Sequence, residues 1–287
     1  MNSLKFRVSR LFSYFLLVSL FLFISGSVGR ILIETQDVER KVAMLVQGII
    51  FTGLTLIVLY VLKRKSPGSF KSIGLEGVTS SSKMAIGIAL PFILLVVGIL
   101  TSYIFGGIDN LSLNLTRSVG ISILVNIITA FMYEAFPEEV FIRGLIFEEL
   151  RKKFRFFTTL FLQPLIFICV PIAVMAMESI FFHKPFAVTI DYFILLFVFG
   201  IALQLYRAYT GSLWMSIIFH LIYLEVTRYI ALGGVYESEV ALLEFDETFE
   251  GFMSLYLSFL FIIILSIVVL SVLILNDKRK TRSNRPL

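Results

Sequence analysis

Residues 84–106 read MAIGIALPFILLVVGILTSYIFG, 23 positions without a charged side chain. At about 1.5 Å per residue a helix of this length reaches roughly 34 Å, enough to cross a hydrocarbon core about 30 Å thick. Lipid offers nothing to satisfy backbone N–H and C=O groups, so such a segment must pair them internally, as a helix. Comparable blocks recur at 11–28, 42–62, 118–147, 156–182, 190–206, 211–230 and 252–275 of the 287-residue chain. Composition agrees, with 58% hydrophobic residues and a mean hydropathy of +0.93. A soluble domain averages about 45–50% apolar residues. The expected fold class is all-α: a polytopic integral membrane protein with about eight transmembrane helices.

The connections set the expected orientation. Lys5, Arg7 and Arg10 precede the first block. Lys63, Arg64, Lys65, Lys71 and Lys83 follow the second, Arg151, Lys152, Lys153 and Arg155 the fourth, and Lys278, Arg279, Lys280, Arg282 and Arg285 the last. The alternate connections are mixed or acidic, with Glu34, Asp37 and Glu39 in the first and Glu237, Glu239, Glu244, Asp246, Glu247 and Glu250 in the last. Lysine and arginine concentrate on the cytoplasmic side, so both termini are expected there. The net charge of +5 is therefore topogenic, and no nucleic-acid partner is expected. Gly26-Ser27-Val28-Gly29 is a poor signal-cleavage site, so the first block reads as a retained span. Three parts are expected: helices one to three (1–110), a core of helices four to seven (111–235), and an extracytoplasmic acidic loop, last helix and basic cytoplasmic tail (236–287). The compact chain reads as a multi-pass protein of a bacterial plasma membrane.

Two blocks exceed one straight span. The block 118–147 contains Pro137, which removes a helical hydrogen bond and should kink or break the helix. The block 156–182 contains Pro164 and Pro171, and its first part, 156–163, is expected along the interface. The single cysteine, Cys169, reads as a packed interior thiol.

Charges inside spans are costly and mark function or pairing. They cluster at Glu134, Glu138, Glu139, Arg143, Glu148 and Glu149, then at Glu178, His183, His220 and Glu225. Glu139 and Arg143 stand at i and i+4, the spacing of an ion pair on one helix face. Glu138, about 100° round the helix, faces elsewhere, with Glu134 one turn before it. An unpaired carboxylate in a low-dielectric site suits a general base, although a purely structural cluster fits the spacing equally. The chain has two histidines, His183 and His220. Two imidazoles and a carboxylate can hold a water directly, or through a zinc ion bound by Glu138, His183 and His220.

Pro137-Glu138-Glu139-Val140-Phe141-Ile142-Arg143-Gly144, a span ending in His183 and a later span carrying His220 together resemble the CPBP family of intramembrane proteases. This family, also called Abi or CAAX-protease-like, includes the Rce1-type prenyl-protein endopeptidases. The resemblance covers 134–228. It extends to Tyr209-Thr210-Gly211-Ser212-Leu213-Trp214 and, upstream, to Phe70-Lys71-Ser72-Ile73-Gly74-Leu75. It implies an intramembrane endopeptidase acting within the bilayer on a membrane-associated peptide or protein, with prenylated substrates among the candidates. Glu138 would activate water and Glu139, paired with Arg143, would support it. His183 and His220 would position the water or stabilise the oxyanion. Family members are described as glutamate-dependent and as metal-dependent.

Two positions depart from the family pattern. Ser179 stands where a phenylalanine precedes the first histidine, and Leu224 where an asparagine follows the second. Leucine donates nothing to an oxyanion, which leaves a non-catalytic binding or immunity protein of the same fold as the alternative. Depth is a further condition. Glu138 lies roughly 20 Å from Arg151, His220 roughly 14 Å into its span, and His183 roughly 28 Å up a span starting near Pro164. Were that span one helix from Phe156, His183 would lie too far out.

Overall fold

The computed structural model describes residues 7–66, 68–77, 79–231 and 241–283. Lys5, Glu237, Glu239 and Arg285 of the expected charge clusters lie outside the described residues. The helices are α1 (Val8–Gln36), α2 (Arg40–Lys65), α3 (Ser69–Ile73), α4 (Ser81–Ile104), α5 (Arg117–Arg151), α6 (Phe156–Phe182), α7 (Ile190–Thr210), α8 (Leu213–Ile230) and α9 (Leu255–Arg279). Among the described residues, eight are long and apolar enough to cross a membrane, all but the short α3. The chain is a polytopic helical membrane protein. Its outward faces are apolar, as in α1, where Phe12, Leu16, Leu20 and Ile24 form an exposed stripe at helical spacing. Facing lipid, such a stripe costs nothing.

One element is not helical. Strands β1 (Ile108–Leu113) and β2 (Leu243–Glu247) pair antiparallel, with Ile108 opposite Glu247 and Leu113 opposite Leu243. Both belong to connections between spans, where no helix satisfies the backbone and pairing does so instead. Asn110 Nδ2 donates to Asp246 at 2.6 Å and Asn114 Nδ2 to Glu244 at 2.9 Å.

The chain divides into two compact units, Met1–Gly77 with Ile128–Ile201, and Val78–Ile127 with Ala202–Leu287. In the first, α1 packs closely on α2. A Cβ at Gly29 would fall 1.6 Å from Gln47 Nε2, and one at Gly48 would fall 2.8 Å from Met132 Cβ, so both contacts need glycine. Glu149, before the basic run Arg151 to Lys153, reads as an interfacial helix end. It is 2% exposed, accepts from the Arg7 backbone N–H at 2.9 Å and pairs with Arg10 and Lys152. In the second unit Tyr206 stacks on Phe219 with ring centroids 4.1 Å apart and shares a hydrogen bond with Ser266. The Ser216 hydroxyl donates to the Leu203 carbonyl at 3.1 Å.

Prolines are absorbed, not obeyed. Pro164 and Pro171 lie inside one helix that starts at Phe156, so the expected interfacial segment 156–163 does not form. A Cβ at Gly200 would approach Pro164 to 3.0 Å, so α7 can lie against this proline because position 200 has no side chain. Cys169, expected inside, is exposed on the same face as Phe161 and Leu165. In α5 the turns on both sides of Pro137 are π-helical, over Phe131–Ala135 and Glu139–Ile146. The Phe136 N–H bonds back five residues to the Phe131 carbonyl. The next bond in that series, from residue 137 to the Met132 carbonyl, cannot form because proline has no N–H. The Thr52 hydroxyl takes its place, donating to Met132 O at 2.6 Å.

Thr52→Val keeps the shape and removes that donor. Stranding a buried carbonyl costs about 1–3 kcal/mol. The thermal transition in detergent is expected to fall by several degrees and to recover in Thr52→Ser. An unchanged transition in Thr52→Val would refute the role assigned to the hydroxyl.

Candidate functional site

The site of the first unit is built on the widened turns of α5. Arg143 Nη1 lies 3.0 Å from Glu139 Oε1, and both side chains are fully buried. The guanidinium also sits over the Phe167 ring of α6, 4.2 Å from its centroid. A buried pair whose charges face each other and an aromatic ring is a structural group. Little of it can reach a substrate.

Glu138 is oriented differently. It is half-buried, and among the described residues no hydrogen bond or ion pair holds its carboxylate. The charges of Glu134, Arg143 and Glu139 act on it. Five residues earlier, in the π-helical turn Phe131–Ala135, stands Tyr133. Its ring meets Phe51 edge-on at 6.3 Å, and its hydroxyl oxygen would be 3.4 Å from a Cβ at Gly26. Glu134, Glu138, Glu178 and Arg30 all act electrostatically on this phenol. Arg30 and Glu178 form an ion pair between α1 and α6, and Arg30 lies 4.8 Å from the Phe182 ring centroid. Four carboxylates, two arginines and a phenol therefore gather within one unit.

Tyr133 and Arg30 were not among the sequence candidates. Tyr133 is one of 11 tyrosines, and Arg30 falls just beyond the apolar block 11–28, where a basic residue reads as an interfacial flank. Their significance depends on which helices are neighbours. Spacing along one helix carries no such information.

His183 stands apart from the cluster. It is the exposed C-cap of α6, with left-handed backbone at φ 54°. Because α6 runs unbroken for 27 residues, His183 lies about 40 Å from its beginning, beyond the depth a shared site requires. Glu178, one turn lower, is the α6 residue that joins Tyr133. His220 is 3% exposed on α8 and belongs to the second unit. Leu224, one turn on, is buried and offers no donor. In that unit Glu225 accepts from Asn126 Nδ2 at 2.5 Å, while Asn126 Oδ1 accepts from Arg228 at 3.1 Å. Among the described residues, Glu225 is the one charged side chain lining a cavity of about 410 Å³ whose other walls include Ile88, Phe92, Ile123 and Leu221.

Among the described residues, no three His, Cys, Asp or Glu side chains gather so as to hold a metal ion. Glu138 and His183 lie in the first unit and His220 in the second.

Residues 120–224 match the family model of the Rce1-like type II CAAX prenyl endopeptidases. Searches of curated proteins and of solved structures return no match. The matched segment begins in α5 and ends in α8, so it holds Tyr133, the double glutamate, Arg143, Glu178 and His220. The similarity to the Rce1-like, or CAAX-protease-like, family is confined to this segment, which is less than half of the chain.

Proposed function

We propose that the protein is an intramembrane endopeptidase in which Glu138 activates water. The observation that carries this reading is the contrast between two adjacent carboxylates. Glu139 is closed off by Arg143, whereas Glu138 is accessible and held by no hydrogen bond or ion pair among the described residues. An intramembrane carboxylate left in this state is costly unless it is used. Glu138 takes a proton from water, and the hydroxide oxygen bonds to the carbonyl carbon as the C=O π pair moves to oxygen. Collapse of the adduct re-forms C=O and breaks C–N, and the proton passes from Glu138 to the leaving nitrogen. One water is consumed, and an acid and an amine are released.

Glu139 and Arg143 fix the rotation of α5 and so the direction of Glu138. His220 keeps the role the family resemblance gives it, holding the water or the developing oxyanion. His183 is given none. The substrate is a membrane-associated peptide, with a prenylated C-terminal tail the first candidate because that is the family's named chemistry. We assign the protein to a bacterial plasma membrane with both termini cytoplasmic, which the alternating basic connections support. A second reading, a non-catalytic binding or immunity protein, is favoured by Leu224 alone.

General-base catalysis contributes about 10²–10⁴-fold. Glu138→Gln is expected to lower cleavage of farnesylated CAAX peptides by at least that factor while its thermal transition stays in place. Wild-type cleavage in the variant would remove Glu138 from the mechanism.

Arg143→Leu should behave in the opposite sense, losing folded protein. Leaving one partner of a buried pair uncompensated costs about 3–5 kcal/mol. Recovery of stable protein from Arg143→Leu at wild-type yield would contradict that structural role.

His220→Ala should abolish cleavage in protein that still elutes as a single species. If both His220→Ala and Glu138→Gln cleave like wild type across prenylated and unprenylated membrane-anchored peptides, the binding reading replaces the enzymatic one.

A further inference from the structure

We propose that Tyr133 donates its phenol O–H to the oxygen of the scissile carbonyl as negative charge develops there. The inference rests on the peptidase reading above and gives the reaction a donor within the same unit as its base. Leu224 cannot serve, since its side chain carries no polar atom.

Three observations converge on Tyr133. The phenol is half-buried inside the bilayer, yet among the described residues nothing hydrogen-bonds to its hydroxyl. A donor in that position is costly to leave unmet, so it awaits a water or a ligand. Its place is also set from three sides. The ring rests edge-on against Phe51 of α2, and the hydroxyl oxygen passes over Gly26 of α1, where a larger side chain would cover it. Glu138, five residues on in the same helix, acts electrostatically on this phenol, so donor and base are neighbours.

Charged groups surround Tyr133: Glu134 and Glu138 on its own helix, Glu178 on α6 and Arg30 on α1 all act on it. Arg30 is engaged through Nη2 by Glu178 and lies over the Phe182 ring, so the open donors of this cluster among the described residues include the Tyr133 hydroxyl and Arg30 Nη1. Proton balance is unchanged by this role. Tyr133 keeps its proton throughout, sharing it with the oxyanion during the adduct's lifetime, while Glu138 alone carries the proton removed from water.

The test compares full-length wild type, Tyr133→Phe and Glu138→Gln in proteoliposomes, with a farnesylated CAAX peptide as substrate. Removing one oxyanion donor typically costs about 10²–10³-fold in kcat. Tyr133→Phe is expected to lose that much while KM stays within about twofold and the thermal transition is unmoved, since phenylalanine keeps the contact with Phe51. A phosphinate analogue of the peptide, which presents a charged tetrahedral oxygen, should bind Tyr133→Phe more weakly by a similar factor. The uncleaved peptide should bind equally well to Glu138→Gln and to a variant that combines Glu138→Gln with Tyr133→Phe. Full kcat in Tyr133→Phe beside an inactive Glu138→Gln overturns the role of Tyr133 and leaves the peptidase reading standing. No cleavage by wild type, or full cleavage by Glu138→Gln, overturns that reading and the donor role with it.

Discussion

The arrangement of the first unit depends on one buried ion pair. Glu139 and Arg143 have no exposed surface, and charges in that position persist only when each neutralises the other at close range. Their geometry fixes the rotation of α5 about its axis, and the Phe167 ring fixes it against α6. With Glu139 turned inward, Glu138 is carried about a quarter-turn away. The different surroundings of these two identical side chains thus come from helical geometry, without any difference in their chemistry.

A proline in the middle of that helix would normally disturb such a register. Here the disturbance is spread over two π-helical segments, and the carbonyl that Pro137 leaves open is met from another helix by Thr52. The wide turns also change which residues share a face on either side of Pro137.

Most of the architecture was legible because bilayer thickness imposes length on any spanning helix. The blocks at 84–106 and 190–206 correspond to α4 and α7 within a few residues. The Glu139–Arg143 pair followed from spacing alone. What escaped had physical reasons. Pro164 and Pro171 suggested a late start for α6, but a helix in lipid has no alternative partner for its backbone and tolerates proline in its interior. That error placed His183 too deep. The group formed by Arg30, Tyr133 and Glu178 needed knowledge of which helices touch, and the β1–β2 pairing needed the proximity of two segments 130 residues apart. Neither leaves a local trace in the chain.

The solitary thiol, unexpectedly on the outside of α6, has a practical consequence. Cys169 lies 13 residues from Phe156, and Glu138 lies 13 residues from Arg151, each an axial rise of about 20 Å from the same end of the helical pair. The natural sequence thus carries one reactive marker on its lipid-facing wall, close to the level of the carboxylate. A nitroxide or fluorophore attached there would gauge local bilayer thickness and water penetration at that level while leaving the interior untouched.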